Sequence, residues 1–168
     1  MRTIKHISIA ILIIALTFII SYYVEPADPI LPIISLLLLG FFLFNLIIRR
    51  SLNYKGYFTS KYNVLTQKYR NQKVYPIAKE ILFDKIIEVL EDSHFNLKEV
   101  DRDRYEILAI SPITWKSWGE NLYISFESDG DETTMKFCST TFFQIYSWGK
   151  NEENYSSLLN QIENSLII

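Results

Sequence analysis

Few residues in this chain have the chemistry of a nucleophile, a general base or a soft metal ligand. In 168 residues there is one cysteine, Cys138, and there are two histidines, His6 and His94. A thiol works with an imidazole only when the two lie within hydrogen-bond reach, and nothing in the spacing of His94 and Cys138 brings them together. One cysteine closes no intrachain disulfide and builds no paired-thiol metal site. Five of the nineteen carboxylates stand in two short acidic turns, Asp101 with Asp103 and Asp129-Gly130-Asp131-Glu132. The second run has the composition of a cation loop without the remaining ligands of a calcium site, and reads as a solvated hairpin turn. The sequence therefore assigns no catalytic residue, no cofactor and no metal.

Two similar words carry the more distinctive side chains: Ser117-Trp118-Gly119-Glu120 and Ser147-Trp148-Gly149-Lys150-Asn151. Each stands at an element boundary, where glycine permits a turn that a β-carbon opposes. Buried aromatics mostly serve packing, so the ordinary expectation is that each tryptophan closes one end of a core. The sharper one is an interaction surface built from Trp115, Trp118, Glu120, Trp148 and Lys150, in which Glu120 meets Lys150 or the three indoles line one face. The strings ISPITWKSWGENLYISFE and TTMKFCSTTFFQIYSWGKNEENYSSLL resemble an uncharacterised family of small bacterial membrane proteins. In that family the soluble domain carries a Trp-Gly-Glu turn and a Trp-Gly-Lys-Asn turn before a terminal helix. The resemblance covers roughly the C-terminal half of the chain and implies no activity, cofactor or catalytic residue.

Charge is sorted along the chain. Residues 49–76 carry Arg49, Arg50, Lys55, Lys61, Lys68, Arg70 and Lys73 with no acid, whereas residues 77–168 hold eight cations against seventeen acids. The basic stretch interleaves its cations with aromatics, and Tyr54, Phe58, Tyr62, Leu65 and Tyr69 recur at helical spacing. Two readings stay open: an interfacial helix touching anionic lipid headgroups through Arg49, Arg50, Lys55, Lys61 and Lys68, or a linker drawn onto the acidic domain. Nucleic acid is a poor partner, because the acidic domain would repel phosphate backbones.

The chain begins with two apolar runs. Ile7–Val24 and Ile30–Ile48 contain no formal charge, and at about 1.5 Å per residue each is long enough for a bilayer core. Only Glu25-Pro26-Ala27-Asp28-Pro29 separates them, which predicts a transmembrane hairpin over residues 1–48. A cleaved signal peptide fits less well, since the first run lacks small residues in cleavage spacing. Tyr22 and Tyr23 have the character of interfacial anchors. Arg2 and Lys5 before the first run and Arg49 and Arg50 after the second put both termini in the cytoplasm, at the inner membrane if the protein is bacterial. Asn45 and Gly40 are candidates for helix contacts, with a headgroup location for Asn45 as the plainer alternative.

After the connector, residues 77–168 read as an α+β domain. A helix from Pro76 to about Ser93 places Ala78, Leu82, Ile86 and Val89 on one face. The runs Phe95–Val100 and Tyr105–Ser111 form a first hairpin. Leu122, Ile124 and Phe126 alternate with Tyr123, Ser125 and Glu127 before an Asp-Gly turn, and Met135 and Phe137 continue the pattern to complete a second. A closing helix from Asn151 aligns Tyr155, Leu158, Leu159, Ile162 and Leu166. The expected architecture is helix, four antiparallel strands and helix, in a two-layer sandwich.

These features favour a membrane-anchored, non-enzymatic binding or assembly module, with the bilayer, anionic headgroups, a protein partner or a second copy as its partners. A tethered enzyme with an unrecognised site and a structural subunit of a membrane complex are the alternatives. The topology is directly testable: a reporter fused after Ile168 is expected to be inaccessible from outside intact cells, and labelling of it there would overturn the orientation.

Overall fold

The computed structural model describes residues 30–166. The expected first span Ile7–Val24, the acidic loop after it and the basic residues Arg2 and Lys5 lie outside the described residues. The chain divides at Arg49/Arg50 into two units.

In the first unit, α1 (Ile30–Leu43) continues into a π-helical turn over Phe44–Ile48. Its widened ladder is seen in the bond from Arg49 N to Phe44 O. Leu36, Leu37, Leu38 and Ile47 are exposed. Asn45 donates to Phe41 O of its own helix at 2.9 Å and accepts from Arg49 at 3.3 Å, so both its polar ends are used locally. A β-carbon at Gly40 would meet nothing within 4 Å. Among the described residues no single helix is long and apolar enough to cross a membrane.

The second unit is α+β. Its elements are a 3₁₀ turn (Leu52–Tyr54), α2 (Lys55–Thr59), β1 (Lys68–Tyr75), α3 (Lys79–Glu91), β2 (Asn96–Asp101), β3 (Glu106–Ile110), β4 (Asn121–Asp129), β5 (Glu132–Thr140) and α4 (Lys150–Leu166). The sheet has five strands, not the four expected, in the order β1-β5-β4-β3-β2, and every pairing is antiparallel. The additional strand is β1, from the stretch read as connector. KYRNQKVY shows little alternation because an edge strand buries only part of one face, and its cations blunt the exposed edge. The expected helical stripe from Tyr54 to Tyr69 is thereby broken into a short helix, a loop and a strand.

β1 and β2 occupy opposite edges, so α3 must carry the chain across the full width of the sheet. It does so with Leu82, Phe83, Ile86, Val89 and Leu90 turned inward, and α4 adds Tyr155, Leu158 and Ile162. Both helices pack on Ile107, Ala109, Leu122, Ile124, Met135 and Phe137. Helix α3 starts three residues later than expected, because Pro76 and Ile77 form a bend, Ala78 keeps an extended ψ of 143°, and Ile77 O accepts from Thr133 Oγ1 at 2.6 Å. Two hairpins match the sequence pattern closely. The β4–β5 turn is Gly130-Asp131, with Gly130 at a φ of 62° that glycine adopts freely.

The other face of the sheet is covered by the segment Leu52–Thr59, which makes a partial third layer. Leu52 N donates to Glu99 Oε2 and Lys55 Nζ to Glu106 Oε1, each at 2.6 Å, while Phe58 is buried against the Tyr123 ring. Of the two sequence readings, linker onto acidic domain is therefore realised for this segment. Phe58→Ala is expected to lower the unfolding free energy by about 3 kcal/mol or more in urea titrations. A loss below about 1 kcal/mol would show that the segment contributes no packing.

Candidate functional site

One rung closes the sheet at one end: Lys68, Thr140, Asn121, Ile110 and Asn96 are successive cross-strand partners. Every loop that leaves this rung therefore emerges on the same side. Three of them form a continuous tip: residues 60–67, 111–120 and 141–149. A parallel bridge joins Thr66 to Gln144, and Gln144 Nε2 donates to Lys116 O at 2.7 Å, tying the three together.

Buried polar side chains hold the loops from below. Gln67 N donates to Thr141 Oγ1 at 2.8 Å, Thr141 N returns a bond to Gln67 O at 2.9 Å, and Gln67 Oε1 accepts from Ser147 N. Asn151 donates to Gln67 O at 3.3 Å and accepts from Ser139 Oγ at 2.7 Å. A second group centres on Glu120, whose Oε2 accepts from Ser111 Oγ and, at 2.9 Å, from Asn154 Nδ2. Ser111 N donates to Glu120 O at 2.9 Å and Glu120 N to Ser111 Oγ at 2.7 Å. Buried donors and acceptors need such partners because each one left without costs about 1–3 kcal/mol.

Above this polar floor the tip is apolar and exposed. Trp115 is 91% exposed, Trp118 60% and Trp148 66%, so none of the three closes the core as ordinary packing would have it. Ile113, Phe143, Ile145 and Tyr146 are exposed beside them. Trp115, Lys116 and Trp148 line a cleft of about 360 Å³. Lys116 Nζ stands 5.4 Å from the Trp115 ring, and Trp148 meets Tyr146 edge to face at 5.4 Å. The backbone is strained in favour of this display. Phe143 and Trp148 have φ of 46° and 52°, a left-handed conformation that costs a residue with a β-carbon about 1 kcal/mol or more. An aromatic held there yet left in solvent gains little packing in return, which is the pattern of a presented contact residue.

The expected interaction surface is thus divided. The three indoles share the tip, whereas Glu120 is fully buried and Lys150 nearly so. Glu120 and Lys150 do not pair with each other: Glu120 is held by Ser111 and Asn154, and Lys150 Nζ meets Glu153 Oε1 at 2.6 Å. The closing helix α4 starts one residue earlier than expected, at Lys150, so Asn151 lies inside it. Ile113, Lys116, Phe143, Ile145 and Tyr146 were not singled out from the sequence. Residues Thr141 to Tyr146 read from the sequence either as an extension of the last strand or as the start of a loop, and they form a loop, since β5 ends at Thr140.

The candidate lipid cations are largely engaged. Lys55 pairs with Glu106, Arg49 with Asn45, and Lys68 with the carbonyls of Asn63 and Thr66 at 2.6 and 3.0 Å. Arg50 and Lys61 are exposed, Lys61 standing 5.1 Å from the Tyr62 ring. His94 stacks on Phe95, near Lys150 and Glu153, while Cys138 faces the other side of the sheet between Arg70 and Tyr123. Among the described residues no cluster of three His, Cys, Asp or Glu could hold a metal ion.

No protein-family model matches the chain, and no curated protein matches it significantly. Among solved structures it is similar to the protein TTHA0849 from Thermus thermophilus, with a TM-score of 0.44 and 15% identity over 60% of this chain and 97% of that one.

Burial, and next the charge of Lys150, push the His94 imidazole below its ordinary 6.5, with Glu153 opposing. The unfolded chain therefore takes up this proton more readily than the folded one, and stability falls as pH drops through 6.5. The carboxyls of Glu80, Asp101 and Glu153 are held below their usual range and bring their own loss only in stronger acid. Denaturation midpoints are expected to decline from pH 7 to about pH 5 and to flatten in His94→Gln. An equal decline in the variant would assign the effect elsewhere.

Proposed function

We propose that the chain is a membrane-anchored, non-enzymatic binding module, held by its N-terminal apolar segments with both termini in the cytoplasm, whose aromatic tip seats in the bilayer interface. The observation that carries this reading is the exposure of all three tryptophans, with Tyr146 and two isoleucines, on one set of loops. Tryptophan and tyrosine favour the headgroup level, where an apolar ring and a polar edge are both accommodated, and Lys61 and Lys116 at the same end suit lipid phosphates. The exposed leucines and isoleucines of α1 supply the apolar surface of an anchor. The bilayer is preferred to a protein partner because the tip sets exposed indole and tyrosine rings beside the exposed Lys61 and Lys116, a combination that the headgroup layer accommodates.

The protein carries its own probe, since every tryptophan belongs to the tip. On reconstitution into vesicles, indole emission is expected to shift to the blue and to be quenched by lipids brominated near the headgroup. The unquenched, red emission of solvated indoles would overturn the reading, as would protection of the tip by a second protein in native membranes. Trp115→Ala with Trp148→Ala in the soluble unit is expected to weaken vesicle partition roughly tenfold or more, from the aromatic area withdrawn.

A further inference from the structure

The face of the sheet opposite α3 and α4 is only partly covered, and beside α2 it opens into a groove of about 490 Å³. Its floor is the Tyr123 ring edge and Cys138, both buried, and its walls carry Lys55, Arg70, Lys136 and Ser125. Among the described residues no acidic side chain lines it. Register explains the convergence: Arg70 is opposite Cys138 and Lys136 opposite Gln72, with Ser125 across from Lys136 on the next strand. Arg70 and Lys136 are thus diagonal neighbours on one face, a spacing of about 7–8 Å that long side chains readily bridge.

The three cations are differently committed. Lys55 is fixed by Glu106 at 2.6 Å. Lys136 meets Glu127 at 2.5 Å in a pair whose members are 45% and 64% exposed, and such a pair is cheaply exchanged for another anion. Arg70 donates to the neutral carbonyl of Thr59, and among the described residues no carboxylate bond matches its charge. The positive field reaches the floor: burial raises the Cys138 thiol above its ordinary pKa, while Arg70, Lys68 and Lys55 all pull it the other way. A planar guanidinium with a lysine point charge and a hydroxyl suits the oxygens of a phosphoryl group. The volume is that of an organic ligand and far exceeds a bare phosphate.

We infer that this groove binds an organic phosphomonoester, its phosphoryl group held by Arg70 and Lys136 and its body lying over Tyr123 and Cys138. The site is separate from the aromatic tip. A phosphomonoester reaches it either as a soluble metabolite or as a lipid headgroup.

The test uses the full chain in nonionic detergent, titrated with glycerol 3-phosphate and, separately, with micelles carrying phosphatidic acid or phosphatidylcholine. Saturable thermal stabilisation is expected with a phosphomonoester and not with glycerol or phosphatidylcholine. Arg70→Ala is expected to weaken binding roughly tenfold or more, Lys136→Ala to weaken it too, and Arg70→Lys to restore part of it. Response to glycerol 3-phosphate supports a soluble source, and response to phosphatidic acid alone a lipid one. The Trp115→Ala/Trp148→Ala protein is expected to bind unchanged, which keeps this result distinct from the outcome at the tip. Absence of saturation by either phosphomonoester up to about 10 mM, or equal binding by wild type and a folded Arg70→Ala, would overturn the inference.

Discussion

The tip depends on polar groups buried beneath it, most of them hydrogen-bonded to one another, while Glu120 Oε1 and Asn154 Oδ1 have no partner among the described residues. Gln67, Thr141, Ser147, Asn151 and Ser139 bind one another where three loops leave the sheet, and Glu120, Ser111 and Asn154 do the same alongside. Most of these side chains are buried, so each donor and acceptor is worth most when the others are in place. That mutual dependence fixes loop backbones which apolar packing alone would leave loose. It lets Phe143 and Trp148 hold left-handed conformations while their rings stand in solvent. The exposed aromatic crest is thus the outward expression of a polar interior.

The same interior ties the basic stretch into the domain. Gln67 is its last residue before β1, and its side chain and main chain reach partners in the loop after β5 and on α4. Upstream, Leu52 and Lys55 reach Glu99 and Glu106 on two strands of the opposite face. The boundary between the two units therefore falls at Arg50, not at Ile77, and the cations that look free in the sequence are mostly spent on bonds within the fold.

What could be read in the sequence was what has local periodicity. The stripes of α3 and α4 and the alternation of β4 and β5 each follow from residues a few positions apart, and the Asp-Gly turn fixed the second hairpin. β1 escaped because five of its eight residues are polar and its partner lies about seventy residues away. For the tryptophans the sequence left two readings, core closure and a shared exposed face, and could not choose between them. Their exposure is decided by bonds such as that from Ser147 N to Gln67, eighty residues apart, which no local pattern reveals. Glu120 and Lys150 drew notice as charges of opposite sign in similar words, yet each found a nearer partner. In the same way the groove beside α2 depends on the register of β1 against β5, and could not be seen before β1 was known to be a strand.

Because β1 pairs with the last strand, the order of synthesis matters. Lys68 leaves the ribosome about seventy residues before Thr140, its neighbour in the sheet. At translation rates of about 5–20 residues per second the unpaired strand waits for several seconds beside a freshly made apolar segment. A greasy β1 would be at risk of adhering to that segment or to another nascent chain. Its lysines and arginine keep it solvated until β5 arrives, so the polarity that hides this strand from sequence inspection also protects it during assembly.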